Sequence, residues 1–374
     1  MHLAELLTLG ARPGAGLMFA LTGRCPLSCA HCSTDSTMGS PQFSGEPFRR
    51  LVDSFEADAG GGRPDALLLS GGEPLLRPTL VRDLVRGARR AGTRTALLTG
   101  MFFARGGGRV PPAVRAAAAG LDHLAASVDA AHEREVGRSE VFAALSELLE
   151  LVPAVSLHIT AMPGRGAEPD PYTEALVAEV RARFGDRVPM LVGAVRPTGR
   201  AAALLPPGRA VEGAARDLRP MPCPFAAWPL VDVDGRVYAC TRQSLVRTEA
   251  PAHLALGQAS RDSWRTLRAR LLGDPVLRSV RMLGPVATGE RFADAGGVPE
   301  GADPCSVCLR LSTGGTAARA AAHLRSEGGA RTEAAVATLL TDRPPRLLAT
   351  ARGALARYAH LTELGWSGEP CRNS

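Results

Sequence analysis

The chain has 374 residues and a formal net charge of +7, and because it contains no lysine, all 44 of its basic residues are arginines. The arginines are scattered among acids and only 4% of residues are aromatic, which argues against a nucleic-acid partner. Without a lysine, the chain cannot hold pyridoxal phosphate as a Schiff base. No apolar run approaches the roughly 18 to 20 residues of a membrane span, and the segment from Met1 to Pro13 lacks a signal-peptide pattern. We therefore expect a cytoplasmic protein without a membrane partner, whose cysteines are more often metal ligands than disulfides.

Short β-rich runs alternate with segments of helix-like apolar spacing over the first 200 residues. The predicted strands are Leu17–Leu21, Ala66–Leu69, Thr95–Thr99, His123–Val128, Val155–Ala161 and Met190–Val195. The predicted helices are Pro47–Asp58, Thr79–Ala91, Pro112–Ala119, Glu140–Leu151 and Tyr172–Phe184. This alternation favours an α/β fold of parallel βαβ units, and six units suit a partial (β/α)6 TIM-like barrel with its chemistry at the carboxyl ends of the strands. A doubly wound sheet has similar spacing, so periodicity alone leaves both folds open.

The pattern changes after Arg200. Asp232–Gly235 predicts a hairpin turn between short strands at Leu230–Val231 and Val237–Ala239. The other elements predicted here are a connector at Ala202–Arg209, a helix at Ser263–Leu272, a Gly/Pro-rich loop at Gly284–Asp303 and a helical tail from Thr316 onward.

Three cysteines lie directly after the first predicted strand, at Cys25, Cys29 and Cys32. Thiolates are soft ligands that suit an iron–sulfur cluster or zinc. Three ligands leave one iron of a four-iron cluster open to a further ligand, whereas structural zinc needs a fourth protein ligand nearby. His31 could supply it, but as the neighbour of Cys32 it would strain the site.

The spacing Cys25-x3-Cys29-x2-Cys32 resembles the signature of the radical S-adenosylmethionine superfamily. The resemblance implies a [4Fe–4S] cluster on these three cysteines, whose open iron binds S-adenosylmethionine. It also extends to the ring of His31, which is expected to pack near the adenine.

A second match follows the second predicted strand. Gly71-Gly72-Glu73-Pro74 resembles the family's GGEP motif, whose backbone and glutamate bind the amino group of the cofactor. An ammonium group needs carbonyl and carboxylate acceptors, and glycines let the backbone approach it closely. Without the cysteine motif, these four residues would more often form a turn.

Further cofactor contacts are expected after the fourth predicted strand. Ser127 and Asp129 resemble the family's ribose and carboxylate contacts, with a helix N-cap as the alternative for either residue. The segment from His132 to Arg138 predicts one helix face that carries His132, Glu135 and Arg138. Arg138 could then clamp the cofactor carboxylate, and a solvated charged face is the alternative. The loop from Val195 to Arg200 resembles the family's adenine-side loop.

Four more cysteines follow the predicted barrel, at Cys223, Cys240, Cys305 and Cys308. By residue type alone they could bind zinc, hold a four-ligand iron–sulfur cluster or stay free. Their arrangement resembles the Twitch domain, a shortened SPASM domain that holds one auxiliary [4Fe–4S] cluster. A full SPASM domain has seven cysteines, whereas only Cys371 follows here, and we expect it to be a free thiol. The resemblance implies a radical S-adenosylmethionine barrel at 14–203 and a Twitch/SPASM-like domain at 204–315. Residues 316–374 resemble no family that we recognise, and their Ala/Arg-rich pattern predicts a helical extension.

The same resemblance implies a function. S-adenosylmethionine would be cleaved to a 5′-deoxyadenosyl radical with an electron from an external flavodoxin- or ferredoxin-type donor. The radical would take hydrogen from the substrate, and the auxiliary cluster would accept the next electron. A ribosomally synthesised peptide is the leading substrate, although we see no room before the first strand for a leader-binding domain. A small metabolite such as an aminocyclitol or sugar is the alternative, and a zinc-bound binding module is a remote one.

Overall fold

The computed structural model describes residues 1–56, 61–162, 170–204, 222–242, 250–293, 298–299, 302–312, 315–348 and 353–368. Within these ranges, no helix has both the length and the apolar character needed to cross a membrane. Cys371 and most of the predicted connector at Ala202–Arg209 lie outside the described residues.

Six parallel strands form the larger part of one sheet. They are β1 (Gly16–Ala20), β2 (Ala66–Ser70), β3 (Arg94–Thr99), β4 (His123–Ser127), β5 (Val155–Ala161) and β6 (Met190–Ala194). Each pairs with the next one along the chain, and each predicted strand agrees to within one residue at either end. A doubly wound sheet reverses its strand order at a switch point, whereas this order is strictly sequential. The predicted open, partial barrel is therefore confirmed.

Helices connect these strands and cover the sheet. They are α1 (Leu3–Ala11), α2 (Glu46–Asp53), α3 (Pro78–Arg90), α4 (Pro112–Ala118), α5 (Ala130–Glu133), α6 (Arg138–Leu148) and α7 (Pro171–Phe184). In α3, Leu80, Leu84 and Val85 are buried while Arg82 and Arg86 are exposed, so one apolar stripe faces the sheet. The sheet is apolar on both faces, as expected for buried parallel strands.

A hairpin extends the same sheet beyond β1. β7 (Leu230–Val231) pairs in parallel with β1, and β8 (Arg236–Tyr238) and β9 (Ala255–Gln258) follow in antiparallel order. The predicted hairpin turn is confirmed, because the Gly235 backbone N–H donates to the Asp232 carbonyl at 2.8 Å. The hairpin predicted after Arg200 therefore lies beside β1, the first strand of the barrel.

The loop predicted at Gly284–Asp303 is wrong over Pro285–Phe292, which forms a helix. A proline in the first turn is compatible with a helix because that N–H needs no helical partner, and Thr288 and Phe292 bury one face. Among the described residues, the remaining helices after the hairpin are Trp264–Gly273, Pro275–Leu283, Pro304–Cys308, Thr316–Arg325, Glu327–Thr341 and Pro345–Leu348, followed by the 3-10 segment Gly353–Glu363.

Candidate active site

The carboxyl ends of the six parallel strands meet at one edge of the sheet, where the chemistry of such a fold is built. The three-cysteine loop follows β1, the Gly71–Pro74 segment follows β2, and Asp129 lies two residues beyond β4. The sequence thus brings its motifs together through strand order alone.

The cysteine loop after β1 is folded on itself by backbone hydrogen bonds. The Cys32 N–H donates to the Cys29 carbonyl at 3.1 Å, and the Cys25 N–H donates to the Thr37 carbonyl at 3.2 Å. All three cysteines are free thiols, and Cys29 is buried. The loop therefore offers three soft ligands from one short segment.

Burial and neighbouring charges act on these thiols together. Burial raises the pKa of Cys25 to about 11, with Glu73 and Cys32 adding to the effect. Burial, Asp129 and the other two thiols raise the pKa of Cys29 to about 12. Burial opposes ionisation of Cys32, but hydrogen bonds within the loop bring its pKa below the ordinary value. The thiols are close enough to oppose one another's ionisation, so a cation among them would be stabilised.

The two glycines after β2 pack against the backbone of the cysteine loop. The Gly72 N–H donates to the Thr22 carbonyl at 2.7 Å, and the Glu73 N–H donates to the Arg24 carbonyl at 2.8 Å. A Cβ on Gly72 would lie 2.3 Å from the Arg24 carbonyl oxygen, and Gly71 has a φ of +134°. Glycine is therefore needed here because two backbones meet.

Gly72→Ala should consequently displace the cysteine loop. Overpacking against backbone typically costs about 1–3 kcal/mol, and here the backbone that must move, at Gly23 and Arg24, leads directly into Cys25. We expect reconstituted Gly72→Ala protein to lose iron from this site and to unfold at a lower temperature. Gly193→Ala in β6 is the matched control, since nothing lies within 4 Å of a Cβ there. Equal iron content in the two variants would contradict a role for Gly72 in shaping the loop.

A third segment that holds the cysteine loop is the chain after β6. The Arg200 N–H donates to the Cys32 carbonyl at 2.9 Å, and its Nε donates to the Cys29 carbonyl at 3.1 Å. Its Nη1 donates to the Ser36 carbonyl at 2.8 Å and lies 2.9 Å from the Asp35 carboxylate. The sequence resemblance marked this segment only as an adenine-side loop and missed Arg200 as a clamp on the cysteines.

Glu73 is fully buried and accepts hydrogen bonds from its own turn and from the end of β3. Its carboxylate accepts from the Leu75 N–H at 2.9 Å, from the Gly100 N–H at 2.9 Å and from the Thr99 hydroxyl. Burial raises the pKa of Glu73 to about 7, although these hydrogen bonds lower it. A nearby cation would favour the ionised form of Glu73. The role predicted for Glu73, binding an ammonium group, requires that ionised form. Pro74 begins the short 3-10 turn Pro74–Leu76 and is buried.

Asp129 joins two histidines. His31 Nε2 lies 2.8 Å from Oδ1, and His132 Nδ1 lies 2.8 Å from Oδ2. The carboxylate is only 1% exposed and also accepts the backbone N–H groups of Ala131 and His132 at 3.0 Å each, so it caps α5. Although burial opposes ionisation, the two histidines hold the pKa of Asp129 well below its usual range. Sequence reasoning named His31 and Asp129 but placed His132 in a different group.

The single helix face predicted for His132, Glu135 and Arg138 is wrong. The chain leaves α5 after Glu133, and α6 begins at Arg138, where the Glu140 carboxylate accepts the Gly137 N–H at 3.2 Å.

Arg138 contacts carboxylates of the protein itself. Its guanidinium lies 2.8 Å from Glu133 and 2.7 Å from Glu179, and it stands 4.8 Å from the ring centroid of Tyr172. Its assignment to the cofactor carboxylate stays a prediction, as does the assignment of Ser127, which ends β4 and is half-buried.

The second set of cysteines comes from three parts of the chain. Cys223 precedes the hairpin, Cys240 follows β8, and Cys305 and Cys308 lie in the helix Pro304–Cys308. Burial raises the pKa of Cys308, and the thiols of Cys223, Cys240 and Cys305 add to that rise. Burial likewise raises the pKa of Cys240 to about 12, with contributions from Cys223 and Cys305. The thiols of Cys240 and Cys308 thus lie close enough to the other cysteines of this set to respond to their charge.

Two side chains that sequence reasoning missed lie against these thiols. Arg242 Nη1 is within hydrogen-bond distance of Cys305 Sγ, and His253 Nε2 lies 3.6 Å from Cys308 Sγ. Burial lowers the pKa of His253 to about 4, so this imidazole is neutral at pH 7. Arg242 stands two residues after Cys240, which is the only sequence signal for it, and His253 has none.

A model of the Radical SAM superfamily matches residues 19–172. Pre-heme d1 synthase of Dinoroseobacter shibae is 36% identical over 118 residues, which are 31% of this chain and 27% of that protein. AdoMet-dependent heme synthase of Methanosarcina barkeri is 33% identical over 120 residues, or 31% of each chain. PqqA peptide cyclase of Ruegeria pomeroyi is 38% identical over 115 residues, or 30% of this chain and 28% of that protein. The chain thus spans less than a third of the length of these curated relatives.

A solved structure described as native anSMEcpe with bound AdoMet covers 87% of this chain and 99% of its own, with 12% sequence identity and a TM-score of 0.46.

Proposed function

Because residues 19–172 belong to the radical S-adenosylmethionine superfamily, we propose that this protein cleaves S-adenosylmethionine reductively and uses the resulting radical to oxidise a substrate. The single observation that supports this most strongly is the cysteine loop. Three thiols lie in one short loop, and backbone contacts from the segments after β2 and β6 hold it.

The donor set fits the cofactors that the family implies. Cys25, Cys29 and Cys32 would hold a [4Fe–4S] cluster with one iron open, which supplies the electron that cleaves S-adenosylmethionine. His31 and Glu73 would contact the adenine and the amino group of the cofactor. Arg200 keeps the loop carbonyls in place.

The second group of thiols supports an oxidation. Cys223, Cys240, Cys305 and Cys308 would ligate all four irons of an auxiliary [4Fe–4S] cluster, which leaves no open position for substrate. Such a cluster suits electron transfer. The substrate would lose one hydrogen atom to the 5′-deoxyadenosyl radical, one electron to the auxiliary cluster and one proton. An external flavodoxin- or ferredoxin-type donor would supply the first electron.

For the substrate we propose a ribosomally synthesised peptide, and the similarity to a protein named PqqA peptide cyclase supports that class. A small-molecule substrate is the second candidate, because two other relatives are named for haem synthesis.

The test uses the reconstituted full chain with dithionite, S-adenosylmethionine and synthetic peptides encoded beside its gene, deuterated in their side chains. We expect deuterium in 5′-deoxyadenosine and a peptide that has lost two hydrogens. Formation of 5′-deoxyadenosine with every peptide unchanged would reject the peptide class in favour of a small molecule. No 5′-deoxyadenosine from protein with a full iron content would contradict the radical reaction itself.

A further inference from the structure

Two arginines flank one phenylalanine beside the second group of cysteines. The guanidinium of Arg196 stands 4.6 Å from the ring centroid of Phe225, and that of Arg242 stands 5.6 Å from it. Phe225 lies two residues after Cys223, whereas Arg196 lies two residues after β6. The contacts of Phe225 with the two arginines therefore connect the carboxyl end of the last barrel strand with the second group of thiols.

Neither guanidinium has an acidic partner in the part of the chain that the structure describes. No ion pair to a described carboxylate forms at Arg196 or Arg242, although both side chains are partly buried. Burial lowers the pKa of Arg196, the nearby charge of Arg242 lowers it further, and the thiols of Cys305 and Cys223 act in the opposite direction. Two neighbouring cations without an acidic partner are costly unless an anion lies next to them.

The nearest candidate for that anion is the second group of cysteine sulfurs. Arg242 donates to Cys305 Sγ, and thiolates bound to a four-iron cluster share a net negative charge that grows by one when the cluster is reduced. Positive charge and N–H donors near the sulfurs stabilise the more negative, reduced state, and hydrogen bonding to sulfur is an established determinant of cluster potential.

We propose that Arg242, assisted by Arg196, raises the reduction potential of the auxiliary cluster so that it accepts the electron of the substrate radical. This inference rests on the proposed function, because it assumes that the four cysteines hold a cluster. In this proposal Arg242 acts through the sulfur of Cys305 and does not touch the substrate.

The structure offers a matched set of variants. Arg242→Gln removes the charge, Arg242→Lys keeps the charge without the planar fork, and Arg196→Gln removes the second cation. Arg236→Gln is the control, because Arg236 is half-exposed, lies on the same hairpin and pairs with Asp234. All are made in full-length protein in which Cys25, Cys29 and Cys32 are alanine, so that only the second cluster contributes a signal.

The measurement is the midpoint potential in an electron paramagnetic resonance titration. We expect Arg242→Gln to shift the balance between oxidised and reduced cluster about tenfold toward the oxidised form, a fall of about 59 mV for one electron. The midpoint potential should fall less in Arg242→Lys than in Arg242→Gln. It should also fall in Arg196→Gln, and it should not change in Arg236→Gln. Equal potentials in Arg242→Gln and Arg236→Gln would overturn the inference. Absence of iron from the parent triple-alanine protein would instead overturn the proposed auxiliary cluster.

Discussion

Replacing Cys25, Cys29 and Cys32 together by alanine should halve the iron content and abolish 5′-deoxyadenosine formation. With three ligands in the first group and four in the second, anaerobic reconstitution should give about eight irons per chain, and the triple variant should retain about four. Iron and sulfide analysis, with product analysis by chromatography, provides the measurement. Cys371→Ala, a cysteine outside both groups, is the control and should keep all the iron. Eight irons in the triple variant would reject the first cluster.

Substituting Cys305 and Cys308 by alanine should separate two activities. In the proposed reaction, cofactor cleavage needs only the first cluster, so 5′-deoxyadenosine should still form, whereas the substrate radical would lack its oxidant. We therefore expect oxidised product per 5′-deoxyadenosine to fall by at least about tenfold, with both compounds measured in the same soluble sample.

A different outcome would assign the second group another role. An unchanged ratio of oxidised product to 5′-deoxyadenosine would rule out electron transfer through these cysteines. If the group only held the structure together, the variant should instead lose soluble protein, because ligand loss removes folding free energy. The amount of soluble protein recovered per cell mass distinguishes this structural role from a role in electron transfer.

The parts of the fold that local patterns determine could be predicted. Strand positions follow from β-rich runs, and the sequential order of β1 to β6 places the cysteines, the glycines and Asp129 at one edge. The helix Pro285–Phe292 was missed because proline and glycine indicate a loop in isolation, although proline is also compatible with a helix start.

The contacts that complete the site could not be predicted in the same way. The chain from Cys29 to Arg200 spans 171 positions, and only the curvature of the whole sheet brings the two together. Likewise, Asp129 indicated either a helix cap or a cofactor contact, and the structure shows it capping α5 while also holding His31 and His132. Long-range pairing of this kind leaves no periodic trace in the sequence.

The hydrogen bonds from Arg200 to the cysteine loop have a consequence for folding during translation. The three thiols emerge early, but the donors that fix the Cys29 and Cys32 carbonyls belong to a segment made only after β6. Loop-closure entropy over such a separation must be offset by the packed barrel before this contact becomes favourable. The cysteine loop is therefore completed late, only after all six parallel strands have been translated.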